Sequence, residues 1–417
     1  MQLKPIFPIS FAIVILVAIL VYMFLSGDKN GASKALNFTE VGIEYDSAYN
    51  PVEIAGKLAF IAKKDGKSFV VYDGQKINYE YNQVSQIADI GGKLAFSANN
   101  DKDNWFVVYD GQEIIKNYRL ALNLVDIGGK LALKAQKEKN GNFFIFYDGR
   151  EFGREYDFVQ SGPININGEL GYLASIQDKY FLVINDKKVG INYSDVSNLI
   201  SDGVNYAFYA KLMPKNGVNN TRDTSVYVAR KYGPSVIVYN GNELGKEYDD
   251  VFSPQFIDGR LLYLAKKNGK TLVIYNNEKI GQEYDYVTNF VDINGRLTFI
   301  AKQGIDTFID YNGKKIFVDK PQNLTNANGE LAYVSVERDG FHVIYAEEEV
   351  GAYDYVSEII DFRGKPAFAA RLDGKWGIYY NGQKISGHDY IDNLTVIGDK
   401  LTFNAKLETK IFIASVE

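Results

Sequence analysis

The sequence predicts an all-β fold: a β-propeller of about ten four-stranded blades with N-terminal strand closure, preceded by one transmembrane helix. Three observations carry this. One short apolar pattern recurs ten times along residues 36–417, paired turn residues divide each copy into four strands, and an uncharged apolar run stands ahead of the first copy.

The apolar run is Ile6 to Leu25, twenty residues without a charge. At about 1.5 Å rise each they span the roughly 30 Å hydrocarbon core. Lys4 on the short side puts residues 1–5 in the cytoplasm by the positive-inside rule. Residues 26–35, small and polar, read as a tether, and residues 36–417 as an extracytoplasmic domain. A cleaved signal peptide is the alternative, although the run is longer than a usual signal core and no A-x-A site follows it.

Composition narrows the chemistry. The 417 residues include no cysteine and two histidines, which excludes disulfides, thiolate metal sites, cysteine nucleophiles and multi-histidine metal clusters. No resident metal or other cofactor is predicted. Formal charge is −6 with the basic residues dispersed, so nucleic acid is not an expected partner.

The repeat is clearest in the segment KLAFIA at Lys57, which returns as KLAFSA, KLALKA, ELGYLA, NYAFYA, RLLYLA, RLTFIA, ELAYVS, KPAFAA and KLTFNA. Its closing small residue falls at Ala62, Ala98, Ala135, Ala174, Ala210, Ala265, Ala301, Ser335, Ala370 and Ala405, at spacings of 34 to 39 apart from one of 55. Turn pairs such as Gly91-Gly92 and Asn294-Gly295 precede this strand, and pairs such as Asp65-Gly66 follow it. A second apolar strand of the FVVY type then ends in Asp73-Gly74, Asp110-Gly111 or an equivalent pair. Such pairs supply the positive φ that two-residue hairpins need, so each unit is a four-strand meander.

Along the KLAF strand Leu58, Phe60 and Ala62 point one way, Ala59 and Ile61 the other, and all are apolar. Both faces of each sheet must be covered, as in stacked propeller blades. The stretch Asn37 to Tyr45 matches a fourth strand while the last unit stops after its third, so the N-terminal strand is expected to complete the last blade. Two five-bladed propellers or an open superhelical array also satisfy the pattern.

Between units runs a connection of the type GREYDFV, carrying Tyr45, Tyr81, Tyr118, Tyr156, Tyr193, Tyr248, Tyr284 and Tyr353, with His388 in the tenth place. The tyrosines are expected to be blade-to-blade anchors. With the carboxylates beside them (Asp46, Glu155, Asp157, Glu247, Asp249, Glu283, Asp285 and Asp354) they could instead line a sugar or cation site. Trp105 and Trp376 start matching third strands and read as packing residues, and His342, in FHVIY, as a satisfied buried histidine.

These KLAF, FVVYDG and KEYD motifs resemble the WD-like propeller repeats of bacterial cell-envelope proteins, and DGKWGIYYNGQKI at Asp373 to Ile385 is similar to the WG repeat. The resemblance covers residues 36–417 and implies a propeller with a binding role.

The 55-residue interval adds about 19 residues to a 36-residue neighbour within Met213 to Pro234, and TSVYV there alternates like a strand. Its Arg222, Asp223, Tyr227, Arg230, Lys231 and Tyr232 are the candidate binding residues, on the face where propellers usually bind. No catalytic motif of the common hydrolases or nucleotide enzymes occurs. The expected function is that of a membrane-anchored, non-catalytic binding or scaffold module for a protein or glycan. A glycosidase or lyase with carboxylates at the central channel, or a purely structural envelope protein, is the alternative. Oligomeric state is not legible.

Overall fold

Ten antiparallel four-strand units follow one another along the described residues, delimited by the turn pairs and arranged in nine sheets. The computed structural model describes residues 38–416 except 78, 102–103, 215–232, 312 and 408–409. The cytoplasmic residues, membrane helix and tether expected in 1–35 therefore lie outside the described residues. Among the described residues no helix is long and apolar enough to cross a membrane.

Blade 1 runs Ser47–Ile54, Lys57–Lys64, Lys67–Tyr72 and Gln75–Lys76, and later blades repeat this order. Blades 4 and 5 are fused into one seven-stranded sheet, because the strand Lys187–Ser201 serves as fourth strand of the one and first strand of the other. Blade 10 takes Tyr390–Ile397, Lys400–Leu407 and Lys410–Val416 from the C-terminus and Phe38–Tyr45 from the N-terminus. Phe38 stands opposite Val416 and Thr39 opposite Ser415. The expected strand closure is thus present.

First strands of successive blades touch all the way round, and the first strand of blade 1 touches that of blade 10. This seam selects a single ten-bladed ring over two five-bladed rings or an open array. Each second strand is buried on both faces, as its two-sided apolar pattern requires; Phe60, Phe96, Leu133, Phe299 and Phe368 have no solvent exposure.

Turns on the face carrying the first-to-second and third-to-fourth connections, here the lower face, also join blades. Asp126 accepts the N–H of Gly129 in its own turn at 2.7 Å and that of Gly91 in blade 2 at 3.1 Å. Gly91 has φ +59°, and a Cβ there would lie 3.0 Å from the Gly129 backbone, so both conformation and clearance demand glycine.

The first strands hold a feature that the apolar pattern does not show. Their pairing with the second strands slips in every blade, and the extra residue is Asn50, Asn123, Asn198, Ser253, Asn289, Asn323 or Asn393 in seven of them, at φ between 51° and 55°. These are β-bulges. Asparagine tolerates the left-handed conformation better than most residues, and a bulge bends the strand nearest the axis. Side chains then tie neighbouring first strands together. Gln86 both donates to Leu124 O at 3.3 Å and accepts from Leu124 N at 3.0 Å, while Asn323 donates to Ser357 O at 3.0 Å.

Candidate functional site: an aromatic row on the upper face

The upper face carries the second-to-third hairpins and the fourth-to-first connections, where the conspicuous tyrosines and carboxylates lie. The tyrosines prove to be anchors. Each reaches from the end of one blade's fourth strand to the next blade: Tyr45 meets Phe60 at 5.8 Å, Tyr81 meets Phe96 at 5.8 Å, Tyr193 meets Phe208 at 5.7 Å and Tyr353 meets Phe368 at 5.4 Å. Burial pushes the Tyr81 and Tyr193 hydroxyls up to about 12. The Tyr118 hydroxyl is tethered to Glu151 at 2.8 Å and that of Tyr284 to Asp310 at 2.7 Å. His388 does the same work as the tyrosines, with its ring 5.6 Å from Phe403, and burial drives its pKa down to about 4.

The neighbouring carboxylates are likewise structural. Asp46, Asp157, Asp249, Asp285 and Asp354 accept the N–H of Asp65, Gln177, Asn268, Gly304 and Gly374, closing the adjacent second-to-third hairpins at 2.6 to 3.1 Å. Glu155 and Glu247 lie beside the Tyr156 and Tyr248 hydroxyls and help hold them protonated, after burial as the larger cause. Glu283 faces Lys279 at 3.7 Å.

The expected binding residues Arg222, Asp223, Tyr227, Arg230, Lys231 and Tyr232 lie outside the described residues. The described strands on either side of their segment are the second and third of blade 5. At its base Leu212 and Gly233 lie side by side, the Gly233 N–H donating to Leu212 O at 2.9 Å.

What sequence reasoning missed is a run of four aromatic rings across blades 8, 9 and 10. Phe341 opens the third strand of blade 8 and lies 5.3 Å from Tyr355, the first residue of blade 9. Tyr355 meets Trp376 at 5.5 Å, and Trp376 meets Tyr390, the first residue of blade 10, also at 5.5 Å, both edge to face. Tyr355 and Tyr390 are 42% and 46% exposed, while Phe341 and Trp376 are half-buried between them and their neighbours. The Trp376 of this row differs from its repeat partner Trp105, which is buried as expected.

Polar groups flank the rings. The register sets Arg371 between Tyr355 and Trp376 across blade 9, and Lys406 opposite Tyr390 in blade 10; both cations are exposed. Blade 7 repeats the pair as Tyr286 opposite Lys302. The only sequence signal for this would have been an aromatic residue directly after the connection Asp at three copies, followed sixteen residues on by a cation. Chemically, the row offers exposed aromatic faces and edges to a ligand, with charged donors on neighbouring strands.

No family model matches the chain, and no curated protein matches it. Solved structures that resemble it include a eukaryotic initiation factor, at 11% identity over 86% of this chain and 98% of that one, with a TM-score of 0.48. Another is the β-propeller domain of the Trilobed protease from Pyrococcus furiosus, at 13% identity over 65% and 94%, with a TM-score of 0.32. A third is BBS1N in complex with ARL6DN, at 9% identity over 91% and 96%, with a TM-score of 0.29. At these scores no conclusion about function rests on the likenesses.

Proposed function

We propose that this chain is a membrane-anchored, extracytoplasmic propeller that acts as a non-catalytic binding module for a polysaccharide, held along the upper rim of blades 8 to 10. The observation that carries the reading is the row Phe341, Tyr355, Trp376 and Tyr390, two of whose rings, Tyr355 and Tyr390, are exposed. Contiguous exposed aromatic surface is uncommon on a soluble face unless something binds there. A sugar ring stacks its C–H face on such rings, and its hydroxyls need donors and acceptors of the kind that Arg371 and Lys406 provide at the same rim. The recurrent carboxylates serve hairpin turns instead of forming an acid/base pair, which favours holding over cleaving. Anchoring rests on the apolar run Ile6 to Leu25, and the envelope setting on the resemblance to WD-like cell-envelope repeats.

The test is electrophoresis of the full-length chain, in mild detergent, through native gels cast with soluble neutral or acidic polysaccharides. Retardation by at least one polysaccharide, abolished in Trp376→Ala and Tyr390→Ala but kept in Trp105→Phe, supports the reading. Mobility unchanged in every polysaccharide, or equal retardation of all variants, overturns it. Capture of an envelope protein by the wild type but not by Trp376→Ala would reassign the same row to a protein partner.

A further inference from the structure

We propose that the second-to-third hairpin of blade 8 is a binding site for a divalent transition-metal ion of the zinc class, held by His342, Asp339 and Glu337. This stands apart from the polysaccharide reading and uses none of its rings. The three side chains each offer one ligand atom, and all three atoms lie within 4.8 Å of one another. His342 Nε2 and Asp339 Oδ1 are 3.1 Å apart, near the roughly 3.4 Å that separates two ligands in a tetrahedral zinc shell. The hairpin itself sets this convergence. Glu337 N–H donates to Gly340 O at 2.8 Å, a tight reversal that puts residues 337 and 339 above the first turn of the third strand.

Glu349 supplies the independent support. Its Oε1 lies 3.3 Å from His342 Nδ1, whereas Asp339 meets the other ring nitrogen, Nε2. A carboxylate on the non-ligating nitrogen fixes the tautomer, turns the other nitrogen's lone pair toward the metal and raises its basicity, which is the usual outer support of a metal-binding histidine. His342 is buried to within 9% of full enclosure, so its orientation is held, whereas the two carboxylates are exposed and can close on an ion. Ser335 Oγ donates to Glu337 Oε1 at 3.2 Å and steadies the third ligand.

The donor set decides the class of ion. Calcium and magnesium call for six or more oxygens, while one imidazole with two carboxylates suits zinc and its neighbours and leaves a fourth position for water or a ligand oxygen.

The experiment is zinc titration of the full-length chain, prepared without a histidine tag and followed by calorimetry and by metal content after dialysis. With no cysteine and one other histidine, the chain offers little background. One zinc per chain is expected. Affinity should fall by at least about 100-fold in His342→Gln and Asp339→Asn, fall about 10- to 100-fold in Glu349→Gln, and hold in His388→Phe. Asp339 lies in an exposed turn, so Asp339→Asn tests the site even where changes at His342 disturb folding. No stoichiometric zinc uptake by the wild type, uptake undiminished in Asp339→Asn, or preference for calcium over zinc would each overturn the proposal.

Discussion

The Glu53 carboxylate accepts the backbone N–H of Gly398 at 2.5 Å, joining residues 345 positions apart in the chain. The same seam is crossed by Tyr45, whose ring packs on Phe60, and beside it the pairing of the first described strand with the last completes blade 10. The closure thus uses the same kinds of contact that join blades 2 and 3, where Asp126 accepts Gly91 N–H, and blades 1 and 2, where Tyr81 packs on Phe96. Thr39 and Ser415 stand directly opposite in that pairing, within the Cα separation that a disulfide spans. In this cysteine-free chain, Thr39→Cys with Ser415→Cys is expected to oxidise to an intramolecular disulfide, seen as faster migration on a non-reducing gel. Oxidation only to intermolecular dimers would contradict the single ring.

Stability should follow blade-to-blade packing. Phe299 is fully buried against Tyr284, and its truncation to alanine is expected to cost about 3–5 kcal/mol in denaturant unfolding. Ile305, almost wholly exposed at a hairpin tip, should tolerate alanine within about 0.5 kcal/mol.

The bulge residues give a sharper test of the innermost strand. Asn289 holds φ 51°, so Asn289→Val should destabilise by about 1–2 kcal/mol, whereas Asn289→Gly should be close to neutral. Equal tolerance of both substitutions would show that the strand is not bulged there.

The two histidines should titrate in opposite directions. Asp339, the larger favourable partner, and Glu349 raise the pKa of His342 against its burial, so its stabilisation is complete below its unfolded value of about 6.5 and is lost as pH rises through the folded value. Burial lowers His388 to about 4, so between pH 6.5 and 4 the unfolded state binds the extra proton and stability falls with pH, by at most about 3 kcal/mol. Ring-carbon resonances followed by nuclear magnetic resonance should show one histidine titrating above 6.5 and one near 4. His388→Phe should make the slope between pH 6.5 and 4 shallower than in the wild type.

Strands, turns and the closing strand were legible in the sequence because each depends on local chemistry that repeats: paired glycine and asparagine at turns, and KLAF segments apolar on both faces. The tyrosine anchors were legible for the same reason. The bulged asparagines were not, since Asn123 or Asn289 reads as an ordinary polar position until the slip in pairing is seen. The aromatic row was hidden for a different reason. Phe341, Tyr355, Trp376 and Tyr390 sit at the starts of strands in three blades, and only the packing of blade on blade joins them. The metal-site proposal likewise needs Glu349 folded back beside His342 from the fourth strand, a cross-strand relation that spacing alone does not give.

The most direct test of the binding account uses the two tryptophans. In Trp105→Phe the only indole left is Trp376, in the middle of the aromatic row. Titrating this variant of the full-length chain with the polysaccharide that retards it should give a saturable change in tryptophan emission, lost when Tyr355 and Tyr390 are both replaced by alanine. Emission that stays constant while the polysaccharide demonstrably binds would place the ligand elsewhere on the ring and contradict the account.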